Sequence, residues 1–326
     1  MTSADTYNLN NGLKIPALGL GTFTVTDEKL LETAIDTALE VGYRHIDTAY
    51  IYRNEHIIGK TLKKWFDSGK LKRDQVFVTT KLSSDGVHPE RLENQLKESL
   101  KNLQLEYVDL YLIHFPIGTK PRAPGDTATD IIAEPTDHIS IWKIMEKQVE
   151  DGRTKSIGVS NFNEKQIENI LKNAKIKPAC NQVEVHVYLP QNSLVKFCQD
   201  NGIVVIAYSP LGNPGINEFR AKLGRPPQSL PDMLNDTLIK QIAEKHKKSA
   251  AQVMLKFLLQ RKIAVIPKSI TPSRIKENFD LFNFSLDDSD LKLLDSLKVG
   301  EKARVCNFSN LHGFKNHPEW PFPSEE

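Results

Sequence analysis

The segment YRHIDTAYIYRNEHIIGKTLKKWFDSGKLKRDQVFVTTK, residues 43–81, contains one complete strand–helix–strand unit. Short apolar runs at residues 43–46 and 76–80 predict two strands, and neither shows the alternation of a strand with one solvated face. Gly69 ends a helical pattern between them, because glycine commonly closes a helix. The apolar side chains of that pattern are Ile57, Ile58, Leu62 and Trp65. The unit therefore predicts two buried parallel strands joined by a helix.

The same alternation of strands and helices continues along the chain. A hairpin is predicted first, at residues 7–9 and 13–15 around an Asn11-Gly12 turn. Apolar runs then predict eight strands at residues 17–21, 43–46, 76–80, 108–114, 156–160, 180–183, 203–208 and 264–267. Apolar stripes predict helices around residues 30–39, 57–65, 92–103, 141–149, 167–171, 194–198, 238–243, 253–258 and 275–279. Pro89 is expected as the first residue of the third helix.

Eight strand–helix alternations predict an α/β fold of the (β/α)8 TIM barrel class, with the hairpin at its N-terminus. A doubly wound open sheet is the alternative. Gly19-Leu20-Gly21 lacks the third glycine of a dinucleotide-binding turn, which weakens that alternative. Residues 1–326 are expected to form a single barrel domain. The least regular segments, 118–137, 212–235 and the tail after Lys298, are expected as large loops at the C-terminal face of the barrel.

Composition and charge exclude several classes of function. The 326 residues include 43 Lys and Arg against 41 Asp and Glu, a formal net charge of +2. This balance gives no reason to expect nucleic acid or an acidic membrane surface as a partner. The longest apolar run, residues 203–208, is too short to cross a bilayer, and no secretory signal is apparent at Met1. We therefore expect a cytoplasmic protein, with a monomer as the default.

The three cysteines give no sign of a metal or redox centre. Cys180, Cys198 and Cys306 are widely spaced, and no pair has the spacing of a zinc or dithiol motif. They are expected to be buried free thiols in a reducing compartment, and no metal is expected.

Four polar side chains stand at or just beyond predicted strand ends, where a barrel carries its chemistry. They are Asp47, Tyr52, Lys81 and His114. Tyrosine has a reference pKa of about 10, so we expect the Lys81 ammonium to lower the pKa of Tyr52, with Asp47 orienting the lysine. His114 is expected to hydrogen-bond a carbonyl oxygen. This set suits proton transfer to an oxygen that becomes negative as hydride reaches the carbon.

Three stretches of the chain resemble the signature motifs of the aldo-keto reductase superfamily. Residues 42–49 read GYRHIDTA and are followed by Tyr52 and Asn54-Glu55. Residues 157–162 read IGVSNF. Residues 266–269 read IPKS, with Thr271-Pro272, Arg274 and Glu277-Asn278 following. The resemblance covers nearly the whole chain and implies NADPH-dependent carbonyl reduction, with Asp47, Tyr52, Lys81 and His114 as the catalytic tetrad and Tyr52 as general acid.

The resemblance also implies where NADPH binds. Ser160, Asn161 and Gln182 would hold the nicotinamide carboxamide, and Tyr208 would stack on the ring. Lys268, Ser269 and Arg274 would hold the 2′-phosphate, with Glu277 and Asn278 near the adenine. The further implied cofactor residues are Gly21, Thr22, Phe23, Asp47, Ser209, Leu211 and Thr271. Independently of the resemblance, Pro272 predicts a helix start with Thr271 as its cap, and helix starts attract phosphate. Lys268 and Arg274 add positive charge there.

The pocket departs from the pattern of family members that reduce small aldehydes, which often carry tryptophans around the site. The corresponding residues here are Phe23, Ser83 and Phe115. We expect a wider hydrophobic pocket, lined also by Tyr52, His114 and Trp320, that accepts a bulky carbonyl compound such as a steroid or terpenoid. The stretch at residues 50–54 resembles that of insect members that reduce 3-dehydroecdysone. Alternatively, the tail residues Leu311, Phe314 or Trp320 refill the space.

Two other functions compete with carbonyl reduction. A Schiff-base lyase would use Lys81 as a nucleophile, although the neighbouring Asp47 favours the protonated lysine. A barrel that binds NADPH without turnover would need no intact proton relay, yet all four positions of the relay are filled.

Overall fold

A computed structural model describes residues 5–121, 131–222, 224, 226–229, 232–308 and 313–323. Its strands are β1 (Thr6–Asn8), β2 (Lys14–Pro16), β3 (Leu20–Gly21), β4 (His45–Asp47), β5 (Phe77–Leu82), β6 (Val108–Ile113), β7 (Gly118–Thr119), β8 (Ala133–Glu134), β9 (Thr154–Ser160), β10 (Cys180–Glu184), β11 (Val204–Tyr208) and β12 (Ala264–Val265). Its helices are α1 (Glu28–Val41), α2 (Glu55–Asp67), α3 (Leu92–Leu103), α4 (His138–Glu150), α5 (Glu164–Asn173), α6 (Asn192–Asp200), α7 (Ile216–Lys222), α8 (Thr237–His246), α9 (Ala250–Gln260), α10 (Pro272–Phe279) and α11 (Asp288–Ser296).

The predicted barrel is confirmed. Eight strands pair in the order β12-β11-β10-β9-β6-β5-β4-β3, and every neighbouring pair is parallel. Parallel bridges from Leu18 to Val265 and from Gly21 to Lys268 join the first strand to the last. A Cβ on Gly21 would lie 2.7 Å from the carbonyl oxygen of Ile266, so this closure leaves no room for a side chain. All eight carboxyl ends consequently meet at one end of the barrel.

The opposite end of the barrel is covered by the β1–β2 hairpin. Leu9 and Ile15 are buried in one cluster with barrel residues such as Leu110 and Ile206. The Asn10 side chain donates a hydrogen bond of 2.8 Å to the carbonyl oxygen of Pro178. The hairpin therefore closes the inner core at the end of the barrel opposite to the strand carboxyl ends. A second and larger core lies between the outside of the barrel and the helices.

The sequence places the strands within a few residues of their observed bounds, but some elements differ. Pro89 does not open the third helix, which begins at Leu92 with Arg91 as its N-cap. A turn intervenes, since the amides of Arg91 and Leu92 both donate to the carbonyl oxygen of His88. Helices α7 and α11 and the antiparallel β7–β8 pair were not predicted from the sequence, and they lie in or beside the segments expected to be irregular.

Helix caps explain why several of these elements begin and end where they do. Asp27 accepts a hydrogen bond from the amide of Leu30 at the start of α1, and Gly42 ends that helix at a φ of 117°. Asp287 and Asp290 form a capping box at the start of α11. Within the described ranges, no helix combines the length and the apolar character needed to span a membrane.

The contact between α2 and α3 gives a test of this packing. A Cβ at Gly59 would lie 2.5 Å from the backbone carbonyl of Leu103. Because the clashing atoms belong to the backbone, no side-chain rotation can relieve the clash. We expect Gly59→Ala to lower the free energy of unfolding by about 1–3 kcal/mol, because overpacking forces the two helices apart. Urea denaturation measures the change. Gly215→Ala is the control, since a Cβ at Gly215 meets nothing within 4 Å, and equal stabilities of the two variants would contradict the prediction.

Candidate active site

The four proposed catalytic residues converge at the carboxyl end of the barrel. Asp47 ends β4, Lys81 lies one residue before the end of β5, and His114 directly follows β6. Tyr52 lies in a short 3-10 turn, Tyr50–Tyr52, after β4. The rings of Tyr52 and His114 are 5.7 Å apart between centroids, and the Lys81 Nζ lies 5.1 Å from the Tyr52 ring centroid. The structure thus brings all four side chains into one cluster.

Asp47 and Lys81 form a buried ion pair. The Lys81 Nζ donates 2.6 Å to Asp47 Oδ1 and 2.8 Å to the carbonyl oxygen of Thr48, and the two side chains are 0% and 2% exposed. The other carboxylate oxygen accepts a hydrogen bond of 2.7 Å from Gln182. Burial raises the pKa of Asp47 and lowers the pKa of Lys81, and in each group the charge of the partner opposes the shift.

The loop that carries Tyr52 is fixed by one buried side chain. Asn54 donates to the carbonyl oxygens of Thr22 and Val25 at 2.9 and 3.0 Å and accepts 2.9 Å from the Thr48 hydroxyl. Thr22 in turn donates 2.9 Å to the carbonyl oxygen of Asp47. Because Asn54 is completely buried, these bonds do not compete with water. The connections after β3 and β4 therefore hold each other in place around Tyr52.

The protonation of Tyr52 differs from the sequence-based expectation. Burial, followed by the charge of Asp47 and a contribution from Cys306, raises the pKa of Tyr52 well above 10. The expected lowering by Lys81 was wrong, because the nearby carboxylate adds to the desolvation of the phenol. Tyr52 is thus a neutral phenol that holds its proton. Burial and the positive charge of Lys81 lower the pKa of His114 well below 6.5, so its ring is also neutral.

The side chains expected around a nicotinamide form one hydrogen-bonded network. The Ser160 hydroxyl donates 2.8 Å to the carbonyl oxygen of Gln182, and Asn161 donates 2.9 Å to the carbonyl oxygen of His114. The Tyr208 hydroxyl donates 2.7 Å to Asn161 Oδ1. Asn161 lies in the left-handed region at a φ of 63°, which turns the chain directly after β9. This amide and hydroxyl set, contiguous with Asp47, is chemically suited to a nicotinamide carboxamide.

The residues expected around the adenosine phosphate lie at the start of α10. Thr271 is its N-cap and Pro272 its first residue, as predicted, but the Thr271 side chain makes no capping hydrogen bond. The amide of Thr271 instead donates to the Ser269 hydroxyl at 3.1 Å. Lys268, Thr271, Arg274 and Glu277 are exposed, Ser269 is half-buried and Asn278 is buried. An uncapped helix start beside two basic residues is suited to a phosphate.

The remaining cofactor residues occupy the connections around these two groups. Gly21 pairs with Lys268 and Thr22 with Asp47, so both lie between the two halves of the expected site. Ser209 follows β11 at a φ of 48°, and its Oγ lies 4.0 Å from the Cys306 Sγ. Leu211 packs against the outer core.

Aromatic side chains form one wall of the expected substrate pocket. The Phe23 ring lies 5.1 Å from that of Tyr52 and 5.4 Å from that of Phe219 in α7. Ser83 follows β5 and is buried, with its hydroxyl bonded to Asp85 and its amide 2.7 Å from the Gln95 side-chain oxygen. The Ser83 hydroxyl is thus hydrogen-bonded within its own loop.

The C-terminal tail fills the space beside Phe115. The Phe115 ring stacks on Phe314 at 5.5 Å and meets Phe308 edge to face at 5.0 Å. Trp320 and Phe322 complete the cluster at 6.3 and 6.1 Å from Phe115. Leu311 lies outside the described residues. The smaller aromatic ring at Phe115 therefore opens no free space on this side of the site, as the alternative in the sequence analysis anticipated.

Sequence reasoning missed several residues that border the cluster. Phe219, Glu184, Cys306 and Phe308 were not assigned to the site. Their contacts join segments about 90 to 200 residues apart in sequence, and no local pattern marks them. The position of Glu184 at a strand end was the one available signal.

No metal centre is formed in the part of the chain that the structure describes. No three His, Cys, Asp or Glu side chains there are arranged to hold an ion. Cys180 and Cys198 are buried free thiols, and Cys306 is a half-buried one.

Comparisons with known proteins give a consistent relationship. Residues 17–299 match the model of the Aldo/keto reductase family. The chain is 42% identical to prostaglandin-E(2) 9-reductase of Oryctolagus cuniculus, over 97% of each chain. It resembles the solved structure of aldose reductase from Schistosoma japonicum, with a TM-score of 0.87, 40% identity, and 99% and 100% of the two chains covered. It also resembles a Bombyx mori aldo-keto reductase in complex with NADP, with a TM-score of 0.86, 35% identity and the same coverage.

The ion pair predicts a specific pattern of stability changes. Asp47→Asn and Lys81→Met should each lower the free energy of unfolding by about 3–5 kcal/mol, because each leaves a buried partner uncompensated. The double variant should lose less than the sum of the two. Urea denaturation of the four proteins measures the coupling, and additive losses would contradict the buried pair.

Proposed function

The chain belongs to the aldo/keto reductase family, and on that premise we propose that it reduces bulky as well as small carbonyl compounds with Tyr52 as proton donor. Family membership makes the chain an NADP-dependent oxidoreductase. Bound NADPH supplies the hydride that reduces an aldehyde or ketone carbon. The proposal for the site depends above all on one observation, the convergence of Tyr52 and His114 on the buried Asp47–Lys81 pair.

Tyr52 is suited to donate the proton. The phenol is protonated at neutral pH, so the proton is present when the carbonyl oxygen becomes negative. The Lys81 ammonium, 5.1 Å from the ring centroid, stabilises the phenolate that remains after transfer. In this proposal, Lys81 therefore mainly stabilises the Tyr52 phenolate that forms when the proton has left. The neutral His114 is placed to orient the carbonyl oxygen toward Tyr52.

The binding residues are assigned by the same proposal. Ser160, Asn161 and Gln182 would hold the carboxamide of the nicotinamide, and Tyr208 would stack on the ring. At the other end, the α10 start would hold the 2′-phosphate with Lys268, Ser269 and Arg274, with Glu277 and Asn278 near the adenine. Two kinds of contact support the assignment: the amide and hydroxyl network at the strand ends, and the uncapped helix start with its basic neighbours.

The proposed substrate class rests on the residue types around the site. Ser83 has a much smaller side chain than an indole, whereas tail aromatics pack against Phe115. Phe23 and Phe219 provide an apolar wall between these sides. We therefore propose entry of flat, bulky hydrophobic carbonyl compounds, such as steroids of the 3-dehydroecdysone type or terpenoids, past Ser83, in addition to small aldehydes.

A lyase that uses Lys81 as a nucleophile has little support. The Lys81 ammonium is fully buried and bonded to Asp47 and to the carbonyl oxygen of Thr48. A Schiff base needs a free amine lone pair, and the carboxylate at 2.6 Å favours the charged form instead.

Removal of one hydroxyl tests the proton donor. Tyr52→Phe should lower kcat about 10²- to 10⁴-fold, because general acid catalysis is lost, while NADPH still binds. Loss of NADPH absorbance measures turnover, and fluorescence titration measures NADPH affinity. Tyr50→Phe is a matched control in the same turn, since its hydroxyl bonds to the exposed side chain of Glu98. Full activity of Tyr52→Phe would rule out the assignment.

A larger side chain at Ser83 tests the substrate class. Ser83→Trp should lower kcat/KM for steroid ketones about tenfold or more, because the indole occupies the space of a substrate ring. It should change kcat/KM for small aldehydes much less. Ser83→Ala controls for the lost hydroxyl without adding volume. Equal losses on both substrate classes, or no turnover of any bulky ketone by the unmodified protein, would contradict the proposed opening.

A further inference from the structure

The carboxylate of Glu184, the last residue of β10, is completely buried and is bonded to the C-terminal tail. Its Oε1 accepts 2.7 Å from the amide of Val305, and its Oε2 accepts 2.8 Å from the amide of Cys306. His186 supplies a third bond. The amide of Leu189 donates to its Nδ1 at 3.2 Å, so the Nε2 carries the proton and donates to Glu184 Oε1 at 3.1 Å.

The same connection binds the tail a second time. The amides of Val299 and Gly300 each donate 2.9 Å to the carbonyl oxygen of Tyr188. Arg304, between the two attachment points, forms two bonds to Glu301 and lies over the Phe322 ring at 4.3 Å. The chain from 299 to 306 is thus held at both ends by the β10–α6 connection.

This stretch of the tail is buried at Ala303 and Val305, but open space borders it elsewhere. A cavity of about 360 Å³ lies behind it, lined by Gly300, Glu301 and Arg304 on one side and by Gln191 and Leu194 on the other. A segment with open space behind it can move unless hydrogen bonds hold it. Glu184 provides two such bonds, to the amides of Val305 and Cys306.

The residues that directly follow these bonds border the reaction site. Cys306 lies 4.0 Å from Ser209, between Sγ and Oγ, directly after β11 and the Tyr208 ring. Phe308 packs edge to face on Phe115, next to His114. A shift of Val305 or Cys306 would therefore move the side chains that face a substrate.

We propose that Glu184 is a positioning residue that holds Cys306–Phe308 in place beside Ser209 and Phe115 and so determines how tightly substrates fit. This inference rests on the proposed function. Within the described residues, Glu184 makes no hydrogen bond to Tyr52 or Lys81, and it acts through the tail backbone.

Glu184→Gln tests the proposal, because the amide places an N–H₂ group against a backbone N–H and one hydrogen bond is lost. KM for a carbonyl substrate should rise about tenfold, with little change in kcat. Glu184→Asp keeps both acceptor oxygens but withdraws them by one methylene, and its KM should fall between those of Glu184→Gln and the unmodified protein.

Glu146→Gln is a closely matched control. The Glu146 carboxylate is 5% exposed and also accepts two backbone amides, from Lys175 at 2.6 Å and Ile176 at 2.8 Å. It lies in α4, away from the tail and the site. Because both amides bond to the same oxygen, Oε1, Glu146→Gln keeps both bonds and controls for the loss of a buried carboxylate alone. We expect a raised KM only for Glu184→Gln. Equal KM values in the two variants would overturn the proposal.

A measurement without turnover separates this inference from the proposed function. The thiol reagent DTNB, with peptide mapping by mass spectrometry, reports the access to Cys306, while Cys180 and Cys198 are 0% exposed. Labelling of Cys306 should be several-fold faster in Glu184→Gln than in Glu146→Gln. Unchanged labelling would overturn the positioning role even in an active enzyme. If no carbonyl compound is turned over by the unmodified protein, the proposed function fails, and faster labelling would still support Glu184 as the tail anchor.

Discussion

The Asp47 carboxylate connects elements that are far apart in the sequence. One oxygen accepts the ammonium of Lys81 on the neighbouring strand, and the other accepts the amide of Gln182 on β10. In the closed ring of eight strands, β4 and β10 are four places apart and therefore face each other across the barrel. A buried carboxylate at this place is tolerated because both of its oxygens accept hydrogen bonds and an ammonium lies against one of them. The amide network, the tyrosine loop and the strand ends are all arranged around that requirement.

The tail adds a second layer above this polar centre. Its aromatic residues pack on Phe115, and its backbone is bonded to Glu184 and Tyr188. The strand ends therefore carry the polar residues of the proposed site, and the irregular C-terminal tail packs beside them. In the proposed function, the strand ends supply the proton transfer and the tail limits which substrates fit.

Much of this arrangement could be predicted from the sequence, because the decisive signals are local. The apolar runs and the polar residues that end them located eight strands and the four side chains of the cluster within a few positions. Contacts over long sequence distances could not be predicted. The bonds of Glu184 to Val305 and Cys306 span more than 120 residues, and the raised pKa of Tyr52 depends on burial that no pattern encodes. Helix α11 was missed, although the capping pair Asp287 and Asp290 was a readable signal.

The way in which the tail is attached has a consequence for how such a protein can diversify. Val305 and Cys306 offer only their backbone amides to Glu184, and every amino acid except proline carries that group. Mutations in the tail can therefore replace the side chains that face the substrate without breaking the attachment. Substitutions in residues 305–308 can thus alter the surface beside the site while the Asp47–Lys81 pair stays unchanged. The backbone attachment itself therefore places little restriction on the side chains at residues 305 and 306.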